Sequence, residues 1–183
     1  MKILNVFTVP STAGFFDGQF RYLTDAGFKI DVVSAPAEME GFCQRNNVNF
    51  FPLNIARKID IKADIKAIKE LIKLIKNNKY DTVVGHTPKG ALLAMIAARL
   101  SGTKNRIYFR HGYIFTTAKG KKRTLFKLIE KVTSLCSNKV INVSKSVKNI
   151  SVNERLTPPI RILSLAKELV AGLMPSIFLI RKM

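Results

Sequence analysis

The feature that most constrains this chain is the regular alternation of short apolar runs with helical stretches along its first 151 residues. Residues 2–9 are an apolar run of the kind that forms a strand buried on both faces. Helical spacing follows over residues 17–27, carried by Phe20, Leu23 and Thr24, with Gly27 as the stop signal. Residues 29–34 are the next strand, ended by Pro36. A short helix over 39–46 leads to a strand at 48–52. The clearest helix spans 63–77. Its period places Ile61, Ile65, Ile68, Ile72 and Ile75 on one face and Lys62, Lys66, Lys69, Lys73 and Lys76 on another. A strand at 82–85, a helix at 89–100, a strand at 106–110, a helix at 121–136, a strand at 139–143 and a helix at 144–151 complete the series. Ser144 fits the N-cap of the last helix. Strand–helix alternation at this spacing specifies an α/β fold, a Rossmann-like parallel sheet with helices on both faces and right-handed crossovers. The length of 183 residues suits one domain with a proper core.

Charge narrows the partners rather than the fold. Lys and Arg total 31 against 12 Asp and Glu, a net charge of +19. Nucleic acid, an anionic membrane surface and phosphorylated substrates all suit that balance. Nucleic acid is set aside because no stacking aromatics interleave with the basic helices. An anionic membrane fits the helices at 63–77 and 121–136, the second carrying Lys121, Lys122, Arg123, Lys127 and Lys131; the competing reading is a solvated face. Cys43 and Cys136 are too far apart for a metal knuckle or a redox pair and read as small buried hydrophobes in a reducing compartment. The first nine residues lack a signal peptide's apolar core and cleavage site. The expected location is cytoplasmic, with peripheral attachment at the inner face of the membrane.

In an open parallel sheet, ligands bind outside the C-terminal ends of the strands, so the loops there carry the candidate chemistry. The first such loop holds Ala13 and Gly14. Gly14 lets backbone approach a ligand, and the following helix start offers N–H groups to a phosphate. The pattern is not GxGxxG, and an ordinary turn is the competing reading. His86 stands where the fourth strand ends, with Thr87 placed to cap the next helix, Pro88 at its first position and Lys89 in its first turn. His111 and Gly112 follow the fifth strand. A lone histidine is often structural, but both histidines of the chain fall at strand C-termini, which favours one shared site. Neither has a carboxylate or cysteine nearby in sequence, so no metal is expected. A P-loop, a nucleophile elbow and a paired-carboxylate site all fail on spacing.

These residues resemble the N-terminal domain of family 4 glycosyltransferases, especially bacterial ones that build capsule or exopolysaccharide. The resemblance covers residues 1–151. It rests on the Ser11-Thr12-Ala13-Gly14 loop and on residues 20–33, where Phe28 replaces the family's usual His. It rests also on His86-Thr87-Pro88-Lys89-Gly90 before an Ala- and Leu-rich helix, on Arg110-His111-Gly112, and on the strand closing at Ser144. The resemblance implies the N-terminal half of a GT-B fold, the half that holds the acceptor, with donor binding and the family's Glu pair in a second domain. It implies retaining transfer of a sugar from a nucleotide-sugar to a lipid-linked or polysaccharide acceptor, with no cofactor. His111 would lie beside the transferred sugar, Gly14 and Ala13 near the donor phosphates, and His86, Lys89 and Gly112 on the acceptor side. The alternative is a non-catalytic acceptor-binding or membrane-docking subunit that needs a separate donor-domain polypeptide.

The expected organisation is an acceptor-binding domain at 1–155 and an aberrant tail at 156–183. The pattern breaks from Thr157, and the resemblance stops near Arg155. An apolar stretch at 162–180 approaches membrane-span length but is interrupted by Lys167, Glu168 and Pro175. Permitted codons for residues 165–182, read one frame over, spell a Gly-rich loop and a Gly-Ile-Asp…Phe-Asn-Pro pattern like the opening of the family's donor half. The expectation is therefore a frame-shifted tail that packs poorly on a domain lacking its last strand and inactive alone, with a membrane anchor as the rival.

Overall fold

The computed structural model describes residues 1–36 and 39–164. Within them the apolar runs form strands β1 (Lys2–Val6), β2 (Lys29–Ser34), β3 (Asn49–Pro52), β4 (Thr82–His86), β5 (Asn105–Arg110), β6 (Lys139–Asn142) and β7 (Ile162–Ser164). They make one sheet of order β3-β2-β1-β4-β5-β6-β7, parallel at every pairing. Parallel neighbours require long crossovers, and helices supply them: α1 (Gln19–Asp25), α2 (Met39–Asn46), α3 (Ile61–Asn78), α4 (Pro88–Leu100), α5 (Gly120–Cys136) and α6 (Lys145–Asn153). The expected α/β architecture is the observed one. The chain builds outward from β1 to β3, returns to β4 beside β1, and then builds outward the other way. That reversal makes the gap between β1 and β4 the topological switch point, where open α/β sheets bind ligands.

Two apolar layers sandwich the sheet. On one face Leu4, Val6, Val83, Tyr108 and Val140 pack against α3 and α4. On the other, Ile3, Phe7, Val84, Ile107, Phe109 and Ile141 meet α1, α2 and the 3-10 turn Pro10–Phe16. Helix α4 lies very close to β4. A Cβ added at Gly85 would come within 2.6 Å of the Ala91 Cα, so only glycine allows that approach.

Several expectations need correction. The buried line of α3 is Ala67, Leu71 and Ile75, with Ile68 and Ile72 partly packed. Ile61 and Ile65, expected on the core face, are 71% and 49% exposed. Periodicity says which side chains share a face, but among the described residues nothing covers Ile61 and Ile65 in the first turns of this helix. Cys136, expected buried, is only partly so, whereas Cys43 is buried. The pattern also does not break at Thr157. Leu156 and Thr157 are buried, and Ile162–Ser164 pairs with β6 as a seventh strand. Three residues after a Pro158-Pro159 turn are too short a strand to read as a period. The frame-shift reading concerns residues 156–183 and the anchor reading 162–180; their portion from 165 onward lies outside the described residues. Ser144 does cap α6, accepting from the Val147 N–H at 3.2 Å.

Candidate functional site

Strand alternation sorts the side chains at the switch point. Val84 and Phe109 belong to the α1/α2 face, and two residues further on His86 and His111 share it. Gly85 and Arg110 therefore face the other way. Asn5 and Phe7 on β1 and its extension meet His86 on the histidine side.

His86 is 1% exposed. Its ring lies parallel to Phe7, centroids 4.2 Å apart and planes 7° apart, with Phe16 edge-on at 4.6 Å. Its Nε2 is 3.0 Å from Asn5 Oδ1, and its Nδ1 is 3.5 Å from His111 Nε2. Burial, reinforced by the neighbouring His111, holds its pKa well below the usual 6.5, so it is neutral. His111 is half-buried, with its ring against Phe109 at 5.2 Å and the edge of Phe16 at 5.9 Å. Burial lowers its pKa as well. Beside it Phe15 is 75% exposed, 6.4 Å away. Gly14 is exposed, and a Cβ on Gly14 or Gly112 would meet nothing within 4 Å. The Ala13 methyl sits in the core, so only its backbone is left for a ligand.

The two switch-point loops are cinched together. Thr87 occupies the N-cap position of α4 with Pro88 next, as expected, but its hydroxyl does not cap. It bonds the His86 carbonyl, pairs with the Thr8 hydroxyl at 2.8 Å and accepts from the Thr8 N–H at 3.2 Å. Thr87 adopts φ 60°, a conformation costly for a β-branched residue and held here by those bonds. A Cβ on Gly90 would come 2.9 Å from the Thr87 Oγ1 and 3.0 Å from the Thr8 N, which explains the glycine.

Two acceptor-side expectations change. His86 has no surface to offer an acceptor. Lys89 is ion-paired with Asp64 at 2.8 Å and also donates to the Lys58 carbonyl, both near the start of α3. The structure brings His86, His111 and the Phe16 end of the glycine-bearing turn together; it directs Lys89 elsewhere. Asn5, Phe7 and Phe16 escaped sequence reasoning. Asn5 left one signal, a lone amide inside the apolar run Ile3-Leu4-Asn5-Val6-Phe7.

On the opposite face, Arg110 is fully buried. It donates to Ser134 Oγ at 2.8 Å, Ser151 Oγ at 2.9 Å, Thr157 Oγ1 at 3.1 Å and Tyr113 OH at 3.3 Å. Its Nε lies 3.1 Å from Glu130 Oε2, and Tyr108 OH donates to the same carboxylate at 3.1 Å. Burial raises the Glu130 pKa, with Arg110 opposing it. Among the described residues no cluster of three His, Cys, Asp or Glu could hold a metal ion, and no helix is long and apolar enough to cross a membrane.

The sheet order, with both histidines gathered at its switch point, defines a Rossmann-like α/β domain of the kind that binds ligands outside the strands flanking that point. The profile of the family described as "Glycosyl transferase 4-like" matches residues 5–146, and the chain belongs to that family. It is 32% identical over 167 residues to the Escherichia coli UDP-Gal:alpha-D-GlcNAc-diphosphoundecaprenol alpha-1,3-galactosyltransferase, covering 88% of this chain and 43% of that one. It is 28% identical over 155 residues to the Staphylococcus aureus capsular polysaccharide biosynthesis glycosyltransferase CapM, covering 85% of this chain and 40% of that one. In fold it matches the crystal structure of a Rickettsia africae glycosyltransferase with a TM-score of 0.69 at 16% identity, over 90% of this chain and 42% of the other. The chain thus spans less than half the length of these relatives.

Proposed function

We propose that this chain is the acceptor-side part of a sugar transferase that moves a sugar from a nucleotide-sugar donor to a lipid-linked saccharide. The observation that carries the reading is His111, a neutral, half-buried imidazole just past the C-terminal end of β5, held against His86 at the switch point of the sheet. His111 touches the reacting sugar. Gly112 keeps its approach open on the acceptor side. The backbone of Ala13 and Gly14 is where donor phosphates approach. His86 acts through His111, and Lys89 acts by tying α4 to α3 through Asp64. The kinship to an enzyme named for a diphosphoundecaprenol-linked acceptor supports the acceptor class.

Lipid-linked acceptors require proximity to a membrane, and the same reading includes peripheral docking. Ile59, Ile61 and Ile65 are exposed among the exposed Lys58, Lys62 and Lys66, and Leu125 and Leu128 lie exposed beside Lys121 and Lys122. Arg123 and Lys127 are engaged with Glu154 and contribute less. Each free basic residue near an anionic leaflet contributes on the order of 1 kcal/mol. Sedimentation at low salt should show more binding to phosphatidylglycerol vesicles than to phosphatidylcholine vesicles; equal binding removes the docking claim.

The function is tested with GlcNAc-diphosphoundecaprenol in detergent micelles and the purified chain. Saturable binding, abolished by His111→Ala with the fold intact, is expected. Equal partition into micelles with and without the saccharide overturns the reading.

A further inference from the structure

We propose that Asn5, His86 and His111 form a relay that fixes the ring tautomer of His111, so that its Nδ1 is presented as a hydrogen-bond acceptor to a sugar hydroxyl. The role of the hydroxyl rests on the function proposed above; the tautomer does not.

The relay begins at an atom that can only accept. The Asn5 side chain is 3% exposed, and its Oδ1 lies 3.0 Å from His86 Nε2. With the Asn5 amide oriented so that its oxygen faces the ring, that oxygen has no proton to give and the His86 Nε2 carries one. A ring this deeply buried, with no carboxylate contacting it among the described residues, stays neutral, so its Nδ1 is a bare lone pair. That lone pair faces His111 Nε2 at 3.5 Å. Two bare nitrogens facing each other would repel, and a proton on His111 Nε2 turns the contact into attraction. With its proton on Nε2, a neutral His111 has a bare Nδ1. Among the described residues no hydrogen bond reaches that Nδ1, and the ring is half-exposed.

The packing leaves the relay little room to invert. Phe7 stacked at 4.2 Å and Phe16 edge-on at 4.6 Å confine the His86 ring. Rotation of His86 would strand the Asn5 oxygen in an apolar layer at 3% exposure, a costly loss. Asn5 and His86 are therefore positioning residues, and His111 is the one member that meets a ligand. The chemical consequence is selective. A bare imidazole nitrogen accepts from a hydroxyl and offers nothing to a phosphate oxygen. Phosphates at this edge would have to find donors on backbone N–H groups, whereas the sugar hydroxyls would find His111.

The ring nitrogens can be read directly by long-range proton–nitrogen NMR on the 15N-labelled chain near pH 7.5. His111→Ala leaves only the His86 signals and so assigns both rings. The expected result is a protonated Nε2 and a bare Nδ1 on each ring. Asn5→Leu should convert His86 and His111 to tautomer mixtures. A protonated Nδ1 on His111 in the unaltered chain, or averaged tautomers on both rings, overturns the relay; neither result needs any variant to fold. Addition of GlcNAc-diphosphoundecaprenol forms the second arm. A shift of the His111 Nδ1 resonance supports its role as acceptor. An unmoved resonance with the expected tautomers leaves the relay standing and removes the hydroxyl partner, separating the two failures.

Discussion

Two polar clusters meet at the end of β5, one on each face of the sheet, and they start from adjacent residues. On the α5 side the Arg110 guanidinium is fully buried, and Ser134, Ser151, Thr157, Tyr113 and Glu130 surround it. On the α1 side His111 is half-buried, with one ring nitrogen facing His86 and the other without a partner among the described residues. The first cluster turns its guanidinium N–H groups inward, with the Nε meeting Glu130 as an ion pair and not as a hydrogen bond, and ties β5, α5, α6 and the segment leading to β7 into one body. The second keeps a ring nitrogen without a partner among the described residues. The contrast teaches that polarity at a strand end is not by itself a site, and that unspent hydrogen-bonding capacity is what makes a strand end a candidate.

The sharpest way to break the comparison is at Arg110. Arg110→Met leaves the Glu130 carboxylate buried without its cation, which should cost about 3–5 kcal/mol in urea unfolding. Arg110→Met combined with Glu130→Leu should recover much of that loss. A cost below about 1 kcal/mol for the single change would mean the cluster is not structural. Glycines sharpen the same contrast. Gly85→Ala forces a methyl 2.6 Å from the Ala91 Cα and should cost about 1–3 kcal/mol. Gly14→Ala and Gly112→Ala meet open space and should leave the thermal midpoint nearly unchanged; an equal loss at Gly112 would make the His111 loop a packing element.

The histidines predict a pH response. Both have folded pKa values below the ordinary 6.5 because burial disfavours their charged forms. Above pH 6.5 neither the folded nor the unfolded chain holds the extra protons, and nothing is lost. Below it the unfolded chain takes up protons that the folded chain refuses, so stability falls as pH drops from 6.5 toward the folded values. Thermal melts at pH 7.5, 6.5 and 5.5 should show this decline, and His86→Gln should flatten it. A midpoint constant over that range would contradict the burial of His86. A small stability effect, within about 1 kcal/mol, is also expected for His111→Ala, because its ring is only half-buried. Its effect should appear as lost acceptor binding. A midpoint drop of many degrees would move His111 into the structural class with Arg110.

Much of the fold was legible in the sequence. The order of strands and helices, the parallel α/β class, the Ser144 cap and the placing of both histidines at strand ends follow from local periods and stop signals, information carried within a few residues of each position. Tertiary structure decided the rest. It left Ile61 and Ile65 in solvent, because a helical period cannot report whether anything covers it. It made residues 162–164 a strand, because three residues have no period. It sent the Thr87 hydroxyl to Thr8 rather than to its own helix, turned Lys89 to Asp64, and sealed His86 behind Phe7 and Asn5. It also separated Arg110 from His111, which the sequence presents as one motif. Each of these outcomes depends on partners distant in the chain, 79 residues for Thr8 with Thr87 and 81 for Asn5 with His86. Burial and pairing are properties of what packs against a side chain, and no local pattern contains them.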